Sequence, residues 1–258
     1  MTETAGLHWR VEGAGRGLVL IHGWALALDY WDTVVPLLKP HFRVLRFDRR
    51  GFGSSGGEPS LAADCADLFN LMDAAGMAQA TVVGMSQGAR VAVAAAIANP
   101  ARISALILDG PPCLEGVKSK ASEAAEQELP LQALQSLLRS EGEKALQAAV
   151  LGLPLLRLMH ADPAAVAALH RCVSSYRGLD LSAVARRQVA QPVGDLQQPL
   201  LIINGERETG SRLQAGARLQ QQVAGATRSV IAGAGHLAAL DAPERYCHAI
   251  IDFLKQVE

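Results

Sequence analysis

Ser86 stands where an apolar strand pattern gives way to a helical one, a place where a hydroxyl can be lifted out of the backbone. The β-branched run Thr81–Gly84 favours a strand, and the alanine-rich run Ala89–Ala98 favours a helix. Glycines at positions 84 and 88 flank the serine on either side. Because a turn this sharp leaves no room for neighbouring Cβ atoms, the spacing predicts a strand–turn–helix elbow that presents a nucleophilic serine.

His236 is the best-placed base for this nucleophile. A serine hydroxyl attacks efficiently only when a base takes its proton. The chain has seven histidines, and His236 lies in the glycine-bounded loop "GAGHLAALDAPE", after the last strand pattern and before the last helical one. The chain order nucleophile, acid, histidine requires such a late histidine. We therefore predict that His236 deprotonates Ser86.

The base needs an acid to orient it, and the segments between Ser86 and His236 offer three carboxylates. Glu206 and Glu208 follow the strand pattern in "PLLIING", and Asp109 ends the one in "ALILDG". Glu208 is favoured because its strand is expected to neighbour the strand that leads to His236. Asp109 is the alternative acid, or else a buried carboxylate at a strand end, and Glu206 is the weakest candidate.

Two N–H donors are also needed for the oxyanion of a tetrahedral intermediate. The amide of Gln87 starts the predicted helix, where the helix dipole favours negative charge. The second donor is expected in "LVLIHGWALALDYW", where a histidine–glycine pair lets the chain turn after a strand. We predict that the amide of Trp24 faces Ser86 there.

Strand and helix patterns alternate along most of the chain. "GLHWRVEG" and "GLVLIHG", joined by the glycine-rich "AGRG", predict a hairpin, and "FRVLRFD" predicts a third strand. Further strand patterns end just before Ser86, at Asp109, at Gly205 and just before His236. This alternation favours a mostly parallel sheet with helices on both faces, whose ligands bind beyond the carboxyl ends of the strands.

Residues 111–195 follow a different pattern. Apolar residues recur there at helical spacing, as in "LPLQALQSLL" and "AAVAALHRCV", without a convincing strand. Because the segment lies between two strands of the predicted sheet, it can fold over the edge that carries Ser86. We predict one α/β core made of residues 1–110 and 196–258, with residues 111–195 inserted as a helical cap.

A helix is also predicted after Ser60, which can cap "LAADCADLFNLMDAAG". The apolar residues of this helix share one face. We expect Asp64, Asp67 and Asp73 to lie away from that face.

Composition excludes several partners. The 258 residues carry a formal net charge of -1, which gives no electrostatic reason to expect nucleic acid or an anionic membrane. Neither a basic and apolar leader nor a run of about 18 apolar residues occurs, so we expect a soluble, cytoplasmic protein. The four cysteines are scattered, which argues against a zinc site and a disulfide framework. Because no phosphate-cradling glycine loop occurs either, no cofactor and no metal are expected.

Taken together, these segments resemble the α/β-hydrolase-fold serine hydrolases over essentially the whole chain. "LIHGW", "FDRRGFGSS", "GMSQG", "INGERE" and "GAGHLAALDAPE" occur in that family's order. The chain is most similar to small carboxylesterases and lactonases of the 3-oxoadipate enol-lactonase and pimeloyl-carrier-protein methyl-esterase type. The resemblance implies Ser86 as nucleophile, His236 as base, and Trp24 and Gln87 as oxyanion donors. It also implies that "FDRRGFGSS" is a mainly structural turn away from Ser86.

One departure from the family concerns the acid, since members usually have aspartate where this chain has Glu208. Glutamate is one methylene longer. Either the loop backs away to keep the carboxylate near His236, or the acid has moved to Asp109. The serine at the elbow argues against the haloalkane dehalogenases and epoxide hydrolases of this fold, which carry aspartate there.

The expected reaction is hydrolysis of a small ester or lactone through an acyl-enzyme, with perhydrolysis and hydroxynitrile cleavage as minor options. A small-molecule-sensing module with little or no turnover is the alternative. Arginines in the second half of the predicted cap could steer a carboxylate-bearing substrate, although solvated helix faces are the favoured interpretation. These residues are Arg157, Arg171, Arg177, Arg186 and Arg187. The acyl group, the alcohol and the oligomeric state stay open.

Overall fold

The computed structural model describes residues 4, 6–112, 114, 129–181 and 193–257. Seven strands form one sheet in these residues. In chain order the strands are Trp9–Glu12 (β1), Gly17–Ile21 (β2), Arg43–Phe47 (β3), Ala80–Met85 (β4), Ile103–Asp109 (β5), Leu200–Gly205 (β6) and Thr227–Ile231 (β7). Their order across the sheet is β1-β3-β2-β4-β5-β6-β7.

The sheet is parallel except at its β1 edge. β1 runs antiparallel to β3, with Trp9 opposite Phe47, and every other neighbouring pair is parallel. The predicted β1–β2 hairpin is therefore wrong. β2 has β3 on one side and β4 on the other, so it has no free edge to offer β1. Two strands that follow one another along the chain need not pair when longer-range partners occupy both edges.

Helices cover both faces of this sheet. They are Val35–Leu38 (α1), Leu61–Ala74 (α2), Gln87–Ala98 (α3), Leu131–Glu141 (α4), Glu143–Leu151 (α5), Pro163–Ser174 (α6), Gly210–Gln222 (α7), Ala238–Asp241 (α8) and Pro243–Gln256 (α9). Alternate residues of β2 enter two different apolar clusters: Leu18 and Leu20 lie in one, Val19 and Ile21 in the other. All four are fully buried, as expected of a central strand that is covered on both sides.

The acidic residues of α2 depart from the prediction. Ser60 caps the helix as expected, accepting a hydrogen bond from the amide of Ala63 at 3.5 Å. Asp64 and Asp67, however, are buried rather than turned away from the core. Each is matched by an arginine of the turn after β3. Arg49 binds Asp64 at 2.9 Å and Arg50 binds Asp67 at 2.6 Å, so buried charges are paired.

The described part of the segment between β5 and β6 is helical, without a strand in residues 129–181. It lies against segments that follow β3 and β7. Arg177 donates to the carbonyl of Ser55 at 2.8 Å, and the amide of Met159 donates to Asp241 at 2.7 Å. The division into a core and an inserted cap stays a prediction, since residues 113, 115–128 and 182–192 lie outside the described residues.

No helix in the described residues is long and apolar enough to cross a membrane. A cytoplasmic location and the lack of a cofactor stay predictions.

Candidate active site

The predicted elbow is present at Ser86. Its backbone angles are φ 51° and ψ -113°, in a region that residues other than glycine rarely adopt. A Cβ atom on Gly84 would lie 2.5 Å from the carbonyl oxygen of Gly88, and one on Gly88 would lie 2.5 Å from that of Ile21. The two glycines are therefore required by the close approach of strand, turn and helix. The strained serine at the carboxyl end of β4 is typical of a functional position.

His236 and Glu208 form a close pair. His236 Nδ1 lies 2.5 Å from Glu208 Oε1, and both residues are buried. Asn204 donates to Glu208 Oε2 at 2.7 Å and so fixes the second oxygen of the same carboxylate. The longer side chain at position 208 therefore reaches the histidine, as the first of the two sequence alternatives required. This arrangement can hold the imidazole in one orientation and tautomer.

Asp109, the alternative acid, is not bonded to His236. Within the described residues neither of its carboxyl oxygens has a hydrogen-bond partner of good geometry, although the hydroxyls of Tyr30 and Tyr246 lie beside it. Burial, and then the charge of Glu208, hold the pKa of Asp109 well above its usual range. A carboxyl that stays protonated cannot provide the negative charge that an orienting acid supplies.

Glu206 lies outside this arrangement. Its side chain is exposed and accepts a hydrogen bond from the amide of Gly233 at 2.9 Å. It therefore stabilises the loop after β7 and is not brought to His236.

Gly110 is a site residue that the sequence interpretation did not single out. It has a φ of 50°, and a Cβ atom there would lie 2.8 Å from both Glu208 Oε1 and the His236 ring. Its carbonyl oxygen accepts a hydrogen bond from Arg212 Nη1 at 2.7 Å, and the same Nη1 donates to Ser86 Oγ at 3.1 Å. Glycine at this position thus lets the serine, histidine and glutamate meet around one turn.

Arg212 was also missed, although the sequence carries a signal for it. Ser86 Oγ accepts a hydrogen bond from this buried guanidinium. In α7, Arg212 shares the buried face with Ala215, Gly216 and Leu219. A charged residue in an apolar i, i+3, i+4, i+7 series is the pattern that could have identified it.

The segment predicted to supply the second oxyanion donor packs against the elbow. A Cβ atom on Gly23 would lie 2.5 Å from Met85 Sδ and 3.2 Å from Ser86 Cβ, so the backbone leading into Trp24 runs directly beside the serine. Ala25 follows with a φ of 55°. Ala25 and Ser86 are the non-glycine residues with positive φ in the described part of the chain. Strain at both positions is consistent with a backbone arranged for binding.

The amide of Gln87 begins α3, so it has no acceptor within the helix. The Gln87 side chain accepts a hydrogen bond from Arg49 Nη1 at 2.7 Å. The turn after β3 was expected to lie away from Ser86, and Arg49 corrects this expectation because it contacts the residue next to the serine. The turn is nevertheless structural: Asp48 accepts from the amides of Leu28 at 2.7 Å and Ser54 at 2.9 Å.

His22 connects this turn to the predicted oxyanion segment. Its Nδ1–H donates to the carbonyl of Gly23 at 2.8 Å, and its Nε2 accepts from the amide of Arg49 at 3.0 Å. An accepting Nε2 carries no proton, so these partners assign a neutral imidazole. Burial, and then the Arg49 guanidinium, lower the pKa of His22 to about 4 from its ordinary value of 6.5.

Acidification should destabilise the protein through His22. As the pH falls below 6.5 the unfolded chain takes up a proton at this imidazole, whereas the folded protein resists until about pH 4. The unfolded state therefore binds more protons in this window, and the free energy of unfolding should fall by up to about 3 kcal/mol from this residue. Urea unfolding from about pH 7 to about pH 4.5 measures the loss. His22→Gln should be less stable than the wild type near neutral pH, but its free energy of unfolding should fall less on acidification. Equal losses in the two proteins would contradict the neutral imidazole assigned to His22.

Asp180 ties the helical segment 129–181 to Trp24. Its Oδ2 accepts from the Trp24 indole Nε1 at 2.7 Å, and its Oδ1 accepts from the Tyr176 hydroxyl at 2.7 Å. The Trp24 and Tyr176 rings also meet edge to face, with centroids 5.3 Å apart. Burial holds the pKa of Asp180 above its usual range, and these two hydrogen bonds offset part of that rise. The position of this segment is thereby coupled to the predicted oxyanion donor.

The arginines of the predicted cap do not point to a substrate. Arg171 binds Asp29 at 3.3 Å and Asp32 at 2.6 Å, and Arg177 donates to a backbone carbonyl of the core. Arg157 is exposed. Arg186 and Arg187 lie outside the described residues. Arg171 and Arg177 thus hold the segment onto the core, which neither interpretation predicted, and Arg157 faces solvent as the favoured interpretation expected.

A sheet of this order, with an elbow serine, a histidine after the last strand and a carboxylate after the strand before it, defines a class of hydrolases. The family model of the alpha/beta hydrolase fold matches residues 18–149, which is more than half of the chain. The protein belongs to the alpha/beta hydrolase fold family, as the sequence resemblance predicted.

The relatives narrow the class. The pimeloyl-[acyl-carrier protein] methyl ester esterase of Pectobacterium carotovorum is 29% identical over 96% of this chain and 98% of that protein. The one from Edwardsiella ictaluri is 31% identical over 96% of each. A thermophilic esterase from Thermogutta terrifontis superposes with a TM-score of 0.80 at 25% identity, covering 99% of this chain and 96% of the other. The enol-lactonase from Burkholderia xenovorans gives 0.79 at 25% identity, covering 96% of each. The chain is an alpha/beta hydrolase of the esterase type.

Proposed function

We propose that this protein is a serine hydrolase of small carboxylic esters or lactones, with Ser86 as nucleophile, His236 as general base and Glu208 as the orienting acid. One observation carries the proposal. The 2.5 Å contact between His236 Nδ1 and Glu208 Oε1 lies beside the strained Ser86 elbow, around a single glycine turn. Relatives named as methyl ester esterases and an enol-lactonase support an ester bond as the target.

Acylation starts with the Ser86 hydroxyl donating to the unprotonated Nε2 of His236. The imidazole takes the proton as Oγ attacks the ester carbonyl carbon. Glu208 holds the Nδ1–H and stabilises the imidazolium that forms. The amides of Trp24 and Gln87 donate to the carbonyl oxygen as it gains negative charge, and such fixed donors act most strongly in a buried site.

Acylation is completed when the alcohol leaves. The imidazolium gives its proton to the departing alcohol oxygen, which leaves the acyl group on Ser86. In deacylation a water molecule loses a proton to His236 and attacks the acyl carbonyl. The second tetrahedral intermediate collapses as the imidazolium returns this proton to Ser86 Oγ, and the carboxylic acid leaves. With a lactone the alcohol stays attached to the acyl chain, so one ring-opened product leaves.

Ester hydrolysis and labelling of Ser86 test the proposal together. Wild-type protein should cleave members of a series of p-nitrophenyl esters from acetate to decanoate, or lactones of matching size. A fluorophosphonate should modify it, with the adduct located by mass spectrometry on the peptide that contains Ser86. Folded protein that cleaves nothing in the panel would contradict the proposed hydrolysis, and resistance to the reagent would contradict Ser86 as the nucleophile. A ligand that raises Tm without being converted would then favour the small-molecule sensor.

A further inference from the structure

Arg212 places a positive charge at the nucleophile itself. Arg212 is 5% exposed, and its Nη1 lies 3.1 Å from Ser86 Oγ and 2.7 Å from the carbonyl oxygen of Gly110. Ester hydrolysis by a serine, a histidine and an acid requires no such cation. Burial of a guanidinium is costly, so its position beside the reacting atom calls for a role.

The arginine is held in place from two directions. Its backbone belongs to the first turn of α7, where its amide donates to the carbonyl of Thr209 at 3.1 Å. Its Nη1 is anchored on Gly110, the same residue that packs against Glu208 and His236. The guanidinium therefore keeps a fixed position relative to the histidine and the glutamate, as specific recognition of a substrate group requires.

We propose that Arg212 binds a carboxylate on the acyl part of the substrate, so that the preferred substrates are half-esters or lactones of short dicarboxylic acids. This inference rests on the proposed esterase function and names the substrate class of that site. A carboxylate accepts strong charge-assisted hydrogen bonds from a guanidinium, whereas a neutral acyl chain offers it no acceptor of comparable strength.

The distances limit how far the carboxylate can be from the scissile bond. In a complex ready to react, the carbonyl carbon lies about 3 Å from the serine oxygen. Since Nη1 lies 3.1 Å from Ser86 Oγ, the carbonyl carbon is within about 6 Å of the guanidinium. A carboxylate separated from the carbonyl by one to three carbons spans this gap, as in malonyl, succinyl and glutaryl half-esters.

Binding of the carboxylate also prepares the nucleophile. Ser86 Oγ now accepts its hydrogen bond from Arg212 Nη1. A substrate carboxylate that takes over this N–H removes a charged donor from Oγ, so the oxygen becomes a better nucleophile while its own O–H stays available to His236. The charge of the substrate thus contributes to kcat as well as to KM, because it helps to form the reactive arrangement only when the correct acyl group is present.

Matched pairs of methyl esters test this inference. Monomethyl succinate and methyl levulinate differ in having a carboxylate or a methyl ketone at the same place, and monomethyl malonate and methyl acetoacetate form the shorter pair. Initial rates of methanol release give kcat/KM for each. In the wild type the ratio of kcat/KM for the carboxylate over the ketone should exceed one. In Arg212→Gln this ratio should fall on the order of 10- to 100-fold.

Two further variants distinguish binding of the substrate carboxylate by Arg212 from a purely structural role at the Ser86 elbow. Arg212→Lys keeps the charge and should retain part of the preference, which a purely structural role would not produce. Arg218→Gln, on the same helix and half-buried, should leave the ratio unchanged. Thermal unfolding of each variant checks that it is folded. If Arg212→Gln lowers kcat/KM equally for the carboxylate and the ketone, Arg212 only braces the elbow and the inference is wrong.

Protection of Ser86 from labelling does not depend on ester hydrolysis. It therefore tests the carboxylate site separately from the esterase function. Malonate or succinate should slow fluorophosphonate labelling of Ser86 in the wild type and protect Arg212→Gln far less. Esters cleaved without a preference that depends on Arg212 overturn the inference and leave the proposed function standing. Absence of hydrolysis with protection by dicarboxylates overturns the esterase function and supports the carboxylate site. Absence of protection together with equal rates for each pair rejects the site.

Discussion

Ser86→Ala should lower kcat/KM for every ester the protein cleaves by about 10³-fold or more. In the proposed mechanism the substitution removes the atom that forms the acyl-enzyme, and a water molecule in its place has neither the position nor the covalent route. Alanine keeps the Cβ atom, so the strained backbone at φ 51° and its neighbours should stay as they are. Steady-state kinetics and fluorophosphonate labelling check the result, and both signals should disappear together.

The matched control is Ser104→Ala. Ser104 lies on β5, is exposed, and exchanges a 3.2 Å hydrogen bond with Thr81. Its loss should leave the kinetics within a few-fold of the wild type. Activity of Ser86→Ala close to that of the wild type, in protein with an unchanged Tm, would mean that another group carries the chemistry.

Glu208→Gln should cost about 10³-fold in kcat, while Asp109→Asn should cost little. The introduced side-chain amide would have nearly the shape of the carboxylate but no charge, so it cannot stabilise an imidazolium and can favour the wrong tautomer of His236. Asp109 has its pKa raised by burial and by the charge of Glu208, and is expected to be protonated near neutral pH. Asparagine resembles that neutral form in size and polarity, which makes Asp109→Asn the matched control.

The two variants also decide between the acids that the sequence left open. Initial rates with one efficiently cleaved ester, measured near pH 7 and again about two pH units higher, separate the role of Glu208 from that of Asp109. If Asp109→Asn loses as much activity as Glu208→Gln, the orienting charge is shared or lies on Asp109. If Glu208→Gln keeps nearly full activity, the 2.5 Å contact with His236 has no catalytic role.

The choice among the three candidate carboxylates shows how much of this site can be predicted from the sequence. The chain order placed Glu208, Asp109 and Glu206 at the carboxyl ends of two strands, and the structure puts all three there. Only the folded arrangement separates them, because the pairing depends on the length of one side chain, on the amide of Asn204, and on the burial of Asp109. None of these quantities is local to a motif.

The same limit explains the wrong predictions. The β1–β2 hairpin was inferred from two strand patterns joined by a short glycine-rich link, but pairing is decided by competition among all strands of the sheet. Asp64 and Asp67 were assigned to an outer helix face from hydropathy. In the fold they lie inside because Arg49 and Arg50, which come from a different element, supply the opposite charges.

The sequence by itself determined the elbow, the position of His236 after the last strand and the alternation of strands and helices. These follow from short-range physics: glycines around Ser86 are set by steric crowding within five residues, and strand and helix follow from the period of apolar residues. The tertiary structure decided that Glu208 rather than Asp109 meets His236, that Gly110 makes room for both, and that Arg212 reaches Ser86. Those contacts join residues 28 to 126 positions apart, and only packing of the whole chain brings such groups within hydrogen-bonding distance.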